Sequence, residues 1–443
     1  MRVLSALSEF LWGIPCVCLL VFSGVFLFLK IKKTSFKNLK LAGQGEISPL
    51  SALCTALGAS VGVGNIAGVA SALCIGGAGA VFWMLLAALF GMVISFCENS
   101  LGFAHRKKEN GALKGGPMYY IRAAFKGETG RILAVCFSLF CVLASFGIGN
   151  MSQTKAVAEN LEAVLKIPAL QETKVLGTNL YLLILGILLA VIIGAVLLGG
   201  GRRIISASEA VVPIAIAGYV IGCGYILILN GARLPAVFLS IFKNAFKIKS
   251  AVGGTGGFLI GKTISVGFKR GIFSNEAGMG SAVMVNSVSS VATAEAAGLV
   301  GALEVFIDTA VLCTLTALTL LSSPLANLES GRIQTANEMA LVSEVFSEHL
   351  GDLGAVFIAL SVLLFSVASI IGWAYYGQTA FTYLFGEKSR KIYSVIFTAV
   401  TLLGINISAG AVWHLSDIFN ALMLFPNLFA VLRLYAKKDG TSP

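Results

Sequence analysis

Apolar residues in this chain fall neither at every second position nor along one helical stripe. They form blocks of about twenty, the length at which a helix rising 1.5 Å per residue crosses a bilayer core. The first block runs from Phe10 to Leu29, and others follow over residues 49–74, 79–102, 131–164, 180–200, 206–230, 251–281, 297–322, 351–383, 391–408 and 412–435. They predict an all-α polytopic membrane protein of eleven transmembrane helices. Phe10–Leu29 has its cations after it, at Lys30, Lys32, Lys33, Lys37 and Lys40, which is backwards for a cleaved signal and reads as a retained helix.

Composition agrees with this pattern and narrows it. Hydrophobic residues make up 57% of the 443 positions and charged residues 12%, which excludes a set of soluble domains, a disordered chain, a coiled coil and a disulfide scaffold. The net charge of +11 would suit a nucleic-acid binder, but its cations sit in short loops between apolar blocks, where they set orientation instead. With the N-terminus outside, the loops expected inside hold 22 Lys and Arg and those outside hold 8. That asymmetry predicts a multi-pass protein of the cytoplasmic (inner) membrane with its C-terminus inside. The nine cysteines are scattered through apolar stretches, and His105, His349 and His414 are far apart, so no zinc or haem motif is formed and no cofactor is expected.

Two blocks are interrupted where lipid most requires an intact helix. The second reads Leu57-Gly58-Ala59-Ser60-Val61-Gly62-Val63-Gly64-Asn65-Ile66-Ala67-Gly68. Small residues in such a run allow close helix packing; they equally allow a broken helix whose freed carbonyls meet a cation and whose second N-terminus faces a carboxylate. Five blocks later, Thr263-Ile264-Ser265-Val266-Gly267 leads into Ser274-Asn275-Glu276-Ala277-Gly278. Interruptions at matching places in two five-helix halves predict inverted repeats around a midplane site, because an odd number of crossings reverses the second half. The expected organisation is an extra N-terminal helix and basic cytoplasmic loop (1–48), a first repeat (49–230), an outer linker (231–250), a second, inverted repeat (251–435) and a short cytoplasmic tail (436–443). Gly256 with Gly261-Lys262-Thr263 fits the phosphate-loop formula literally, but it lies in a glycine-rich membrane block with no strand to deliver the loop.

Ionisable groups inside spans are costly and point to function. Glu304 and Asp308 lie one helical turn apart in the eighth span, followed by Thr309, Thr314 and Thr316, and read either as a hydroxyl-capped structural pair or as a cation or proton site. Glu98 and Glu209, nearer span ends, read as interfacial or gating groups. In the fourth span Gln153 offers two donors and two acceptors for the charged ends of an amino acid. In the ninth, Ser366 and Ser369 supply hydroxyls suited to Na⁺, and Trp373 a wall for a small pocket.

Four motifs, Val61-Gly62-Val63-Gly64-Asn65-Ile66-Ala67-Gly68-Val69-Ala70, Gly115-Gly116-Pro117-Met118-Tyr119-Tyr120-Ile121, Arg270-Gly271-Ile272-Phe273-Ser274-Asn275-Glu276-Ala277-Gly278-Met279-Gly280-Ser281 and Gly372-Trp373-Ala374-Tyr375-Tyr376-Gly377, resemble the alanine or glycine:cation symporter family of bacteria and archaea, in order and over nearly the whole chain. The resemblance implies a leucine-transporter-like fold with one extra N-terminal helix, and uptake of a small neutral amino acid with Na⁺ or sometimes H⁺. It implies a substrate site of Val61, Gly62, Gly64, Asn65, Gln153, a bend at Ser265 to Gly267, and Trp373. The cation would meet Ala59, Gly62, Asn65, Asp308, Thr309, Ser366 and Ser369, and Asn275 and Glu276 would gate. Val63 and Ser369 stand where family members usually or often carry Thr, and Lys155 where they often carry Asn. The expected partners are the amino acid, the cation and lipid, with no nucleic acid and no obligate protein partner. A non-transporting sensor or a channel on the same scaffold is the alternative; counterflow separates these from a carrier, and an enzyme is disfavoured because no nucleophile and base fall together.

Overall fold

In lipid a helix is favoured because it satisfies its backbone polar groups within itself, and the long blocks of Leu, Ile, Val, Phe and Ala wind up accordingly. The computed structural model describes residues 2–31, 43, 45–109, 111–175, 178–246, 255–333, 335, 338–405 and 409–437, and places a helix in each of the eleven expected positions. Eight of these helices are long and apolar enough to cross a membrane: Val3–Ile31, Gly79–Ala104, Glu128–Leu165, Leu180–Leu198, Gly201–Leu229, Ala294–Ser322, Asp352–Phe385 and Leu415–Ala436. A ninth crossing is the pair Pro49–Ser60 and Gly64–Gly76, bent by 56°. The seventh span, Thr255–Asn275, carries Lys262, Lys269 and Arg270, and the tenth, Arg390–Gly404, is 15 residues long; residues 406–408 of its expected range lie outside the described residues.

The outward faces are apolar. On Gly201–Leu229 the seven-residue series Ile214, Ile221 and Ile228 is exposed, whereas Tyr219, Cys223 and Ile226 of the same helix are buried. That polarity is the reverse of a soluble helix and marks the lipid-facing stripe. Inside, glycines bring backbones together. A Cβ on Gly301 would lie 2.0 Å from Asn99 Nδ2, and one on Gly372 would lie 2.6 Å from the Ala59 nitrogen. Small-residue packing and helix breaking are therefore both present, at different glycines.

The phosphate-loop match is resolved by this architecture. Lys262 and Thr263 lie within the continuous helix Thr255–Asn275, and the Thr263 hydroxyl donates to the Gly76 carbonyl at 3.0 Å. No nest of free N–H groups exists in a helix interior. Outside the bundle, a hairpin pairs Lys107–Glu109 with Ala112–Lys114, and a short parallel contact ties Ile47 to Ser289.

Candidate functional site

The first break begins where Val61 leaves the helix Pro49–Ser60 for an extended backbone (φ −75°, ψ 99°). The chain resumes as a π turn over Gly64–Gly68 before the helix Val69–Gly76. Such turns widen the helix and release backbone groups, and they recur at functional sites. Side chains take up the released N–H groups: Gly62 donates to Asn65 Oδ1 at 3.0 Å and Val63 to Gln153 Oε1 at 3.3 Å. Gly62 leaves that approach uncrowded, since a Cβ there would stand 3.1 Å from both amide heteroatoms of Gln153 and 3.3 Å from Ser369 Oγ.

The second break is not where the sequence placed it. The helix Thr255–Asn275 runs unbroken through Ser265 and Gly267. Gly267 serves close packing instead: its Cβ would lie 2.5 Å from the Ala80 carbonyl and 2.6 Å from Trp83 Cβ. The missing side chain thus faces a neighbouring backbone, and the hydrogen-bond ladder stays whole. The chain breaks after Asn275, where Glu276, Gly278 and Gly280 adopt positive φ values of 56°, 89° and 73°. Glycine tolerates that region freely, whereas Glu276 is held there by its contacts. Its Oε1 accepts from Trp373 Nε1 at 2.8 Å and its Oε2 from Ser281 Oγ at 2.6 Å. Ser265 and Gly267 lie roughly 15 and 12 Å from Asn275 along the helix axis, so they are not part of the cluster at the break.

Between the two breaks lies Asp308, fully buried in a π turn over Phe306–Cys313 of the eighth span. Its Oδ1 accepts from Asn65 Nδ2 at 2.7 Å, and its Oδ2 accepts from Ser274 Oγ and Thr309 Oγ1, each at 2.8 Å. Asn275 Nδ2 donates to Thr309 Oγ1 at 3.0 Å. Both broken spans thus converge on one carboxylate. A second oxygen group lies one helix away, where Ser369 Oγ donates to the Ala59 carbonyl at 3.0 Å. Ser366 Oγ, also buried, has no hydrogen-bond partner among the described residues. Trp373 packs against the fourth span, where a Cβ on Gly149 would lie 2.3 Å from Trp373 Cβ.

Most of the residues singled out from the sequence are therefore brought together: Ala59, Val61, Gly62, Gly64 and Asn65 on the first break; Asn275 and Glu276 on the second; Gln153, Asp308 and Thr309, Ser369 and Trp373 around them, while Ser366 is buried one turn before Ser369. Two members of the Asp308 cluster were not singled out from the sequence: Ser274, and Cys313, whose Sγ lies 3.2 Å from Ser274 Oγ and 3.4 Å from Asn65 Nδ2. Ser274 is 34 positions from Asp308, so no local spacing signals the pair. Also unforeseen is the brace beneath the second break, where Glu98 accepts from Asn427 Nδ2 and, at 3.3 Å, from the Gly278 N–H. Tyr120 completes it through Asn427 Oδ1.

No Lys, Arg or His is buried among the described residues, while Glu98, Glu276, Glu304 and Asp308 all are. Such an interior presents carboxyl and hydroxyl oxygens, the donor type a hard cation takes. The model of the sodium:alanine symporter family matches residues 1–438. The chain belongs to that family. Among the family's curated members it is 34% identical to the sodium/alanine symporter AgcS of Methanococcus maripaludis over 98% of this chain and 94% of that one. It is 32% identical to the probable sodium/glutamine symporter GlnT of Bacillus subtilis over 98% of this chain and 88% of the other. Among solved structures it is similar to MhsT in complex with L-phenylalanine, with a TM-score of 0.61 at 16% identity, covering 89% of this chain and 97% of that one. This likeness shows the leucine-transporter fold. As a sodium:alanine symporter family protein, the chain is a multi-pass membrane transporter that couples a cation to an amino acid, and not an enzyme.

Proposed function

We propose that the protein imports a small neutral amino acid, alanine or glycine, together with Na⁺ across the cytoplasmic membrane, with its N-terminus outside. The observation that carries this reading is the convergence of Asn65 and Ser274, one from each broken span, on the buried carboxylate of Asp308. The hydroxyls of Ser274 and Thr309 retain lone pairs for a cation while donating to that carboxylate. Gly62, Val63 and Gln153 lie beside the cluster and supply N–H groups and an amide for the substrate's charged ends. The likeness to the sodium/alanine symporter AgcS favours alanine or glycine as the substrate.

Cation and substrate together complete bonds that each break makes with itself in their absence, so joint occupancy favours rocking of one helix bundle against the rest. Asn275 and Glu276 gate this motion by holding the second break to Thr309 and Trp373. The driving force is adequate. One charge moving through 100 mV supplies about 2.3 kcal/mol and a tenfold Na⁺ gradient about 1.4 kcal/mol, whereas hundredfold accumulation needs roughly 2.7 kcal/mol.

Uptake of labelled alanine, glycine, serine and glutamine into proteoliposomes, driven separately by Na⁺, Li⁺ or a pH gradient, tests the reading. Wild type is expected to accumulate alanine and glycine with Na⁺. Asn65→Ala is expected to elute as wild type on size exclusion and to lose Na⁺-driven uptake. Full coupled uptake by Asn65→Ala would remove this residue from the cation site, and accumulation of glutamine alone would overturn the substrate assignment.

A further inference from the structure

Five carboxyl groups are buried among the described residues: Glu98, Glu276, Glu304, Asp308 and Asp417. Of these, Asp417 alone is paired with a cation, and the candidate site makes no use of it. Its Oδ2 accepts from Lys269 Nζ at 2.7 Å and from Ser8 Oγ at 2.8 Å, and its backbone carbonyl accepts from Trp12 Nε1 at 2.8 Å. These bonds join three elements far apart in sequence. They are the N-terminal helix Arg2–Leu11 with the turn that carries it on to Trp12, the helix Thr255–Asn275 of the second broken span, and the last helix, Ala409–Ala436. Ser8 and Trp12 are both buried, so the extra N-terminal helix holds the Asp417 carboxylate in a place largely closed to water.

Lys269 stands six residues before the break at Asn275, about 9 Å along the helix axis, and is not among the partners of Asp308. Its neighbour Arg270 turns to a different element, donating from Nη2 to Ser71 Oγ at 3.0 Å, and Thr263 donates to the Gly76 carbonyl. Ser71 and Gly76 belong to Val69–Gly76, the second half-helix of the first broken span. Parts of the two broken spans are thereby tied to each other on one side, while on the other Lys269 is tied to Asp417. The N-terminal segment also reaches the break itself: Leu20, buried on the helix Ile14–Ile31, has its Cδ2 3.2 Å from where a Cβ on Gly278 would lie. Separating an ion pair inside a membrane bundle strands two charges and is costly, which favours motions that keep the pair and turn about it.

We propose that Asp417 is a positioning residue for the transport cycle. By holding Lys269 it anchors the helix Thr255–Asn275 to the last span and to the extra N-terminal helix, so that this helix and Val69–Gly76, joined through Arg270 and Thr263, swing about a fixed point. The extra helix thus acts on the second broken span from outside the five-plus-five repeat, through Ser8 and Trp12 on Asp417 and through Leu20 on Gly278. The inference rests on the chain being a carrier and not on which amino acid it carries.

Exchange of labelled amino acid across proteoliposomes tests it, with whichever of alanine, glycine, serine and glutamine the wild type takes up, so that a wrong substrate assignment does not decide the outcome. Lys269→Met and Asp417→Asn each leave a partner stranded and are expected to lower the yield of folded protein on size exclusion. Lys269→Met combined with Asp417→Leu removes both partners together and is expected to restore that yield. A tie that served folding alone would restore transport with it. The positioning role predicts instead that the folded double variant exchanges at a maximal rate roughly 2- to 30-fold below wild type with its KM unchanged, while Lys269→Arg, which keeps the pair, exchanges at the wild-type rate. Ser8→Ala combined with Trp12→Phe frees Asp417 from the N-terminal helix without removing a charge. It is expected to show the same split between maximal rate and KM, and it decides alone if the double charge variant does not fold. A wild-type maximal rate in the folded double charge variant, or failing that in the Ser8 and Trp12 variant, would overturn the proposal. A raised KM at an unchanged maximal rate would overturn it as well, since the pair would then belong to the binding site.

Discussion

At the residue scale the candidate site depends on one absent side chain as much as on those present. Gly62 leaves room for the Gln153 amide, which accepts from the Val63 N–H, and for the Ser369 hydroxyl, and a Cβ would press on both at 3.1 and 3.3 Å. Overpacking of this kind costs about 1–3 kcal/mol. Gly62→Ala is therefore expected to raise the KM for alanine by roughly 5- to 150-fold, the same free energy expressed as affinity, while the purified protein keeps its elution volume. An unchanged KM would mean that Gln153 does not touch the substrate. Asp308, Asn65 and Trp373 were recognisable in the sequence because a polar or bulky group in the middle of an apolar block is costly there and stands out. Ser274 and Cys313 were not, since small polar residues are common in membrane helices and only proximity to Asp308 gives them meaning.

At the element scale the two breaks have different causes. The first follows from glycines spaced through a span, and the sequence placed it correctly. The second lies at three consecutive-turn positions of positive φ, Glu276, Gly278 and Gly280, about ten residues after the glycine that drew attention to it. A lone glycine in a helical run weakens the helix by only about 1 kcal/mol, too little to break one whose neighbours pack on it. Gly267 packs its bare backbone against Ala80 and Trp83. Gly267→Ala should consequently lower the melting temperature of the protein in detergent, yet leave the KM for alanine in the folded fraction at its wild-type value. A change in KM without a change in melting temperature would restore Gly267 to the binding site.

At the scale of the whole molecule, a cavity of about 930 Å³ opens where the loops expected to be cytoplasmic gather, with Glu46, Lys114, Arg122, Arg202, Thr379 and Glu387 among its walls. Lys114 Nζ bridges the hairpin to Glu387 Oε1 at 3.0 Å, and Arg390 holds Glu387 Oε2 at 2.8 Å. Burial pushes the Glu387 carboxyl up, but the hydrogen bond from Lys114 and the charges of Arg390 and Lys114 outweigh it and leave the group below its ordinary value. The hydrogen bond to Glu387 raises Lys114 above its own. A carboxylate lowered in this way keeps its ties at neutral pH and loses them only as pH falls through its depressed value. Exposed pairs contribute little to stability, so Glu387→Gln is expected to leave melting nearly unchanged. It should speed maleimide labelling of a cysteine introduced at Thr379, because the tie across the cavity mouth is gone. Labelling at the wild-type rate would show that this ion pair does not restrain the opening.

Periodicity and hydropathy alone determined that the chain is a bundle of membrane helices, eight or nine of them among the described residues long and apolar enough to cross, because lipid imposes the same demand on every block regardless of its neighbours. They also placed a break in the second span, where the weakening is local and intrinsic to the residues. Tertiary structure decided where the second break falls, which glycines pack and which bend, and which small hydroxyls join Asp308. Those outcomes depend on what stands across the interface from each residue, and a linear sequence carries that only through the fold.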